Sequence, residues 1–411
     1  MGQKKKIISD SIWSIAGLVF VNVVLQFGVY KLWNVMVDSD WSGNVQSLIS
    51  LMNVFAISLG IAVNYARMRR SSDTKTKNAP YLGMLFGTSL LAFAAAIGIS
   101  FLVGTPLFGE LKMSTPEVLL YACLTVATMW RYYADVEYKL YLNYKCFFLY
   151  YAFIGVGYLV GIGLFYFTRL WPLTLLVGEV FGLLFVLLFG KIFRVDGNPY
   201  GEGTVDLLKL VLVLFGSEFM SNLIFNADRI VLLPLFDGDA VFDYYLASLL
   251  GKTVALLTVP LSGVIIGYLS KYQGDLSLKI MNVIFAGSLA CALLGVIGCT
   301  LGSYILIPVL YPEEFDEIKQ YFIVTNLSQV LYFIANVITI VLLRFAKSRY
   351  QLYVNIAYAV AFVVICIPSA IFGSFWGFCI GLLATCAVRF FVSVGLGYFT
   401  VFNSKRKLKN A

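Results

Sequence analysis

Residues 210–236 read LVLVLFGSEFMSNLIFNADRIVLLPLF. A helix that crosses about 30 Å of hydrocarbon needs about 20 residues, so this stretch is long enough to span a bilayer. Its polar residues are not scattered. Glu218, Asn222, Asn226 and Arg229 follow a +4, +4, +3 spacing, which at about 100° per residue confines them to an arc of about 80°. A stripe of this kind cannot face lipid; it lines a cavity or supplies hydrogen bonds between helices. Asp228 lies off the stripe and needs a partner on a neighbouring helix or at the outer interface.

The rest of the chain is of the same kind. Of its 411 residues 60% are hydrophobic and 13% charged, with a mean hydropathy of +0.86, against about 45–50% and about 25% in soluble domains. A soluble enzyme, a nucleic-acid-binding domain, a disordered chain and a disulfide scaffold are excluded, because one chain of this size cannot hide so much apolar surface. The fold class is an all-α polytopic membrane protein. Spans are expected at about 11–33, 44–66, 80–103, 117–137, 147–167, 172–192, 208–235, 241–269, 280–307, 319–343, 351–372 and 375–402. Twelve spans use roughly 260 residues and leave no room for a globular domain outside the bilayer. The first span follows Lys4, Lys5 and Lys6 directly and shows no small-residue cleavage site, so no cleavable signal is expected.

The connectors alternate sharply in basic residues. The N-terminal tail, 67–79, 138–146, 191–209, 270–279, 344–350 and the C-terminal tail hold 22 of the 30 Lys and Arg. The opposite connectors hold Lys112 and Arg169 among Asp38, Asp40, Glu110, Asp237, Asp239, Glu313, Glu314, Asp316 and Glu317. Both termini are therefore expected in the cytoplasm, and the net charge of +8 faces anionic lipid rather than nucleic acid. Trp33, Trp41, Trp171 and Trp376 fall at the outer boundaries, as interfacial aromatics would. Seven cysteines without a CxxC pair and no histidine exclude a zinc or haem site; no metal or organic cofactor is expected.

A weak repeat divides the chain into a bundle of residues 1–200 and a second of 201–411, with the break at the loop-like 196–203. Phe27 to Lys31 is followed by Asp38-Ser-Asp40, and Phe225 to Arg229 by Asp237-Gly-Asp239, at offsets of 198 and 199 residues. Two six-span halves that both start inside are parallel repeats, an arrangement found in alternating-access transporters. The two acidic turns have the DxD form that binds metal or phosphate elsewhere, but are read as ordinary turns in short outer loops. Gly157 and Gly161 are read as a small-xxx-small packing face and not as a nucleotide loop, since no strand precedes them.

Charges within spans cost at least about 2.5–3.5 kcal/mol each, so each one marks a cavity, a partner or an interface. Lys31, Arg131, Arg229, Lys252 and Arg389 slightly outnumber Asp135, Glu179, Glu218 and Asp228. Lys252 and Arg389 lie too deep to snorkel readily. Arg131 and Asp135, at i and i+4, are expected to pair. The tenth span carries Thr325, Gln329, Tyr332 and Asn336 on one face, and the first carries Asn22, Gln26 and Tyr30. Three polar faces suggest a hydrophilic cleft, and its cationic excess suits an anionic ligand such as pyrophosphate.

Asp228-Arg229-Ile-Val-Leu, then Tyr244-Tyr245-Leu-Ala, then Val259-Pro260-Leu-Ser262, with Gly60 and Arg67 in the first half, resemble the polysaccharide transporter family of the MOP flippase superfamily, the Wzx-type flippases of O-antigen and capsule synthesis. Gly267-Tyr-Leu-Ser-Lys271 stands where the family often has a second proline. The resemblance implies two six-helix bundles of MOP/MATE type in the bacterial inner membrane. It implies alternating-access transfer of an undecaprenyl-pyrophosphate-linked oligosaccharide, driven by an H+ or Na+ gradient, with a polysaccharide polymerase and a chain-length regulator as partners. Arg229 and Lys31 then contact the pyrophosphate. Depth adds Lys252 and Arg389, and the stripe adds Asn222 and Asn226. Glu218 and Glu179 are the coupling candidates. The alternatives are a MATE-like cation antiporter and a membrane-embedded glycosyltransferase or polymerase; the short outer loops weigh against an enzyme.

Overall fold

The computed structural model describes residues 3–70, 78–105, 111–194, 204–256, 276–345 and 349–409. Its helices in chain order are α1 (Gln3–Val23), α2 (Tyr30–Met36), α3 (Ser39–Arg70), α4 (Ala79–Val103), α5 (Thr115–Ala134), α6 (Val136–Leu140), α7 (Tyr144–Thr168), α8 (Trp171–Phe189), α9 (Thr204–Leu235), α10 (Gly238–Leu256), α11 (Leu278–Leu310), α12 (Phe315–Ile318), α13 (Phe322–Phe345), α14 (Arg349–Ala361) and α15 (Ile367–Lys409). Val24–Val29 and Phe362–Cys366 are π-helical. No strand occurs among the described residues.

Nine stretches of the described residues are long and apolar enough to cross a membrane. The last, Tyr350–Asn403, makes two passes, because Ser374 takes a left-handed φ of 56° and breaks the helical path. Helices α5 and α10 supply the remaining two; each is diluted by charge, Arg131 in one and Lys252 in the other. Each expected pass thus overlaps a helix among the described residues, the eighth only as far as Leu256, since its remainder lies outside them. The Val259-Pro260-Leu-Ser262 motif, Gly267–Lys271, Glu110 and the 196–203 junction lie outside the described residues.

Local chemistry sets the helix ends. Ser114 and Glu117 form a capping box at the start of α5, with Pro116 just inside, which satisfies amide groups that would otherwise end unbonded. Helix α7 stops at Arg169, whose φ of 57° is the left-handed stop of a helix C-terminus, and Pro172 opens α8.

The chain forms two compact units, Met1–Val241 and Phe242–Ala411. In the first, α7 packs along α8 and α3 along both α5 and α9. Small residues permit these approaches. A Cβ on Gly157 would meet the Cα of Gly178, one on Gly161 the carbonyl of Thr174, and one on Gly60 the carbonyl of Met129. Backbones this close give dispersion contacts and lipid exclusion, which replace the missing hydrophobic drive inside a bilayer. The outer tryptophans correct an expectation. Trp33 and Trp171 are fully buried; Trp33 stacks against Trp41, Phe165 and Trp171, and Trp171 against Tyr121. They are the core of one end of the first unit, not a lipid-facing belt, because several helices converge there and edge-to-face rings fill the space between them. In the second unit, α13 packs between α11 and α15, and α14 lies along α15.

Replacing Gly161 with Leu drives a side chain into the Thr174 backbone. It is expected to lower the unfolding free energy by about 1–3 kcal/mol, read as a lower thermal midpoint in detergent, while Gly163→Leu, which meets nothing within 4 Å, leaves the midpoint near wild type.

Candidate functional site

The two repeat-related acidic turns meet within the first unit. Asp38 accepts the backbone N–H of Trp41 at 2.7 Å, and Asp237 accepts that of Ala240 at 2.8 Å. These are the same cap, made by the same residue type, at the start of α3 and of α10. The next contacts are reciprocal. Gly238 N–H donates to Asp40 Oδ1 at 3.0 Å, and Ser39 Oγ donates to Asp239 Oδ1 at 2.5 Å. At an offset of 199, Ser39 corresponds to Gly238 and Asp40 to Asp239, so equivalent residues pair across the turns, with a backbone amide as donor in one bond and a hydroxyl in the other. This is the contact pattern of a two-fold axis, where i meets j and j meets i. Gly43 lies so close to Gly238 that a Cβ there would collide with the Gly238 carbonyl. The DxD turns are therefore caps and a mutual clasp.

Below the clasp, α9 runs along α3 with Phe55 against Phe219 at 5.2 Å. The polar stripe of α9 divides into two parts. Asn222 Nδ2 donates to Ser58 Oγ of α3 at 3.1 Å and to the Glu218 carbonyl at 3.0 Å, while Asn226 Nδ2 donates to the Asn222 carbonyl at 2.9 Å. These amides are bonds within and between helices. Glu218, one turn on, is half-buried. The charge of Lys139 acts on it, and Glu218 and Asp135 together act on Tyr65 of α3. At the other end of the stripe, Ser47 Oγ donates to the Arg229 carbonyl at 3.2 Å, and Asp228, buried, accepts the N–H of Arg229 at 2.9 Å.

Arg229 is half-buried, and its charge reaches Tyr30 of α2. Lys31, the next residue, is half-buried too. On an uninterrupted helix Lys31 would point opposite to Asn22. The π-turn Val24–Val29 adds about one residue to its turn, which rotates the downstream residues by about 100° and brings Lys31 toward the polar face. Asn22 itself donates to the Leu18 carbonyl of its own helix. The repeat-related positions 31 and 229 both belong to the first unit.

Deeper in the same unit, Arg131 of α5 is paired with Glu179 of α8, Nε to Oε2 at 2.5 Å. Both residues are buried. Tyr158 OH donates to the other carboxylate oxygen at 3.1 Å, and the guanidinium lies over the Tyr132 ring at 4.2 Å. Asp135 takes a hydrogen bond from Tyr151 at 3.1 Å. The expected Arg131–Asp135 pair is thus replaced by a pair across helices: Tyr151 of α7 draws Asp135 one way, and Glu179 offers Arg131 a carboxylate. Glu179 is a committed ion-pair partner, which weighs against its use as a coupling residue.

The second unit has its own polar layer. Thr325 Oγ1 donates to the Ala247 carbonyl at 2.8 Å, Gln329 Nε2 to Tyr244 OH at 2.8 Å, and Gly251 N–H to Asn326 Oδ1 at 2.8 Å. Lys252 is buried, its Nζ 6.0 Å from the centre of the Tyr244 ring. Arg389 of α15 is buried as well. Its Nη2 donates to Asn336 Oδ1 at 2.7 Å and to Asn355 Oδ1 at 3.2 Å, and its guanidinium lies over the Tyr332 ring at 4.2 Å and near Tyr358 at 5.2 Å. The polar face of the tenth span is therefore satisfied within the second unit, by α10 and α15. Residue spacing points to Gln329, Tyr332 and Asn336, but not to Asn355 and Tyr358, which lie on a separate helix with no pattern that ties them to Arg389.

Two measurements check these contacts. Cysteines at 39 and 239 are expected to form a disulfide under mild oxidation in membranes, seen as a reducible change in mobility after cleavage of an intervening loop. Breaking the buried pair with Glu179→Gln or Arg131→Met is expected to cost about 3–5 kcal/mol of stability, whereas the double variant recovers much of the loss.

No family model and no curated protein sequence matches the chain. Solved structures do. The chain superposes on the inward closed conformation of the lipid II flippase MurJ with a TM-score of 0.70 at 13% identity, covering 97% of this chain and 90% of that one. It also superposes on a multidrug resistance MATE transporter of the MOP superfamily, with a TM-score of 0.66 outward-facing (14% identity, 99% and 97% covered) and 0.62 inward-facing (13% identity, 99% and 96% covered). Over nearly its whole length, the chain has the fold that MurJ and the MATE transporters of the MOP superfamily share.

Proposed function

We propose that this chain is a non-enzymatic flippase that moves an undecaprenyl-pyrophosphate-linked oligosaccharide across the bacterial inner membrane, for the synthesis of O-antigen or capsular polysaccharide. The fold carries this reading, since one structure that shares it is a lipid II flippase. The interior adds cationic groups suited to such a substrate: Arg229 and Lys31 are half-buried in the first unit, and Lys252 is buried in the second. Cations of this kind attract a diphosphate and repel a cationic drug.

In this mechanism Arg229, with Lys31, holds the diphosphate while the polyprenyl chain stays in lipid, and Lys252 is the matching candidate in the second unit. Asn222, through Ser58, keeps α9 in register with α3, and Asn226 braces α9 itself, which orients Arg229. The clasp between the acidic turns holds α3 and α10 together at their outer starts and must open for release on that side. Glu218, half-buried on α9 within electrostatic reach of Lys139, is the group proposed to bind H+ or to answer to Na+, so that a gradient drives the cycle. A polymerase and a chain-length regulator would act on the delivered product.

Transport by reconstituted protein tests the proposal. In liposomes loaded with a defined polyprenyl-pyrophosphate glycan, outward transfer is read by the access of an impermeant lectin. Wild type is expected to transfer the lipid, and Arg229→Gln to slow transfer roughly tenfold or more at unchanged membrane abundance. Full activity of that variant sinks the cationic-contact mechanism. The shared fold with multidrug MATE transporters favours one second reading, a cation antiporter. Efflux of a cationic dye without glycolipid transfer would select it.

A further inference from the structure

Arg389 is a buried charge with bonding capacity to spare. Guanidinium carries five N–H donors in a fixed plane. Two of them, on Nη2, are taken by Asn336 and Asn355. The remaining three, one on Nε and two on Nη1, are buried and meet no acceptor among the described residues. The faces of the group are covered by Tyr332 and Tyr358, so only its edge is left to bond. Asn336, Asn355 and both tyrosines are neutral. Thr339 and Ser393, one turn beyond, are spent on each other and on the carbonyls of Ala335 and Arg389.

A cation held this way is costly. A buried charge without a counter-ion loses its hydration and gains back only amide and ring contacts, and natural sequences remove such groups unless they do something. The contrast with Arg131 is direct: that guanidinium has a carboxylate at 2.5 Å, and Arg389 meets only neutral oxygens among the described residues. The donors left over on Nε and Nη1 define the missing partner as an acceptor with negative charge. Burial limits its size. These atoms are buried and the guanidinium faces are covered by two aromatic rings, which favours an ion of one or a few atoms over a diphosphate bearing a sugar chain and a polyprenyl tail.

We propose that the Arg389 edge is a binding site for a small inorganic anion, of chloride or phosphate class, within the second unit. It is separate from the Arg229 and Lys31 contacts and does not rest on the flippase reading. The anion accepts the free N–H groups, while Asn336 and Asn355 fix the plane of the guanidinium and Tyr332 and Tyr358 shield it. Because the ion binds the folded unit and not the unfolded chain, its occupancy raises stability with its concentration.

The full-length protein, purified in nanodiscs of zwitterionic lipid, is heated in sodium gluconate, chloride or phosphate at one ionic strength, so that screening of surface charge stays constant. The wild-type thermal midpoint is expected to rise by about 2 °C or more when chloride or phosphate replaces gluconate. Asn355→Asp supplies a permanent carboxylate 3.2 Å from Nη2 in the wild-type geometry. It is expected to raise the midpoint in gluconate and to abolish the response to added anion, without touching Arg389. Arg389→Gln is expected to lose the response to added anion. The proposal is overturned if wild type is indifferent to the anion, if Asn355→Asp responds as wild type does, or if only a polyprenyl diphosphate shifts the midpoint.

Discussion

Inside hydrocarbon there is no water to complete a hydrogen bond, and every polar group must be satisfied by the protein itself. This constraint organises the interior of both units. Thr, Ser and Asn side chains fold back on the carbonyl one turn before, as Thr88, Ser100, Thr125, Ser248 and Thr385 do. Others bridge helices: Tyr121 to the Leu48 carbonyl, Asn64 to that of Tyr132, Thr325 to that of Ala247. Such bonds are individually worth about 0.6 kcal/mol on average in a membrane, yet they decide which faces of the helices meet.

The same constraint sorts the charges into classes. Arg131 and Glu179 cancel each other in a closed pair between α5 and α8, supported by Tyr158. Removing either leaves the other buried and alone, so the pair locks these two helices together. Arg389 is held by neutral oxygens and rings. Arg229, Lys31 and Glu218 are half-buried.

The repeated turns have a physical meaning. They use Asp38 and Asp237 to cap their own helices and Asp40 and Asp239 to grip the other turn. Two-fold related contacts of this kind are made and broken together. They also explain why glycines stand at 43 and 238: any side chain would hold the turns apart.

How much could be read in advance depends on what each property needs. Hydropathy and the positions of breakers are local, so the membrane helices and the approximate ends of most were legible, as were the acidic turns and the small-residue face at Gly157 and Gly161. Residue spacing also exposed the stripe of α9. Pairing is another matter, because in a bilayer the hydrophobic pattern does not say which helix a polar group faces. Arg131 chose Glu179, on a different helix, over Asp135 one turn away on its own; Trp33 and Trp171 turned inward instead of toward lipid; and Asn355 and Tyr358 came to Arg389 from a helix with no local sign of the contact. Composition alone determined that the chain is a bundle of membrane helices. Only the tertiary structure decided which buried charges are cancelled and which keep a bond to offer, since that depends on a few ångströms between segments far apart in sequence.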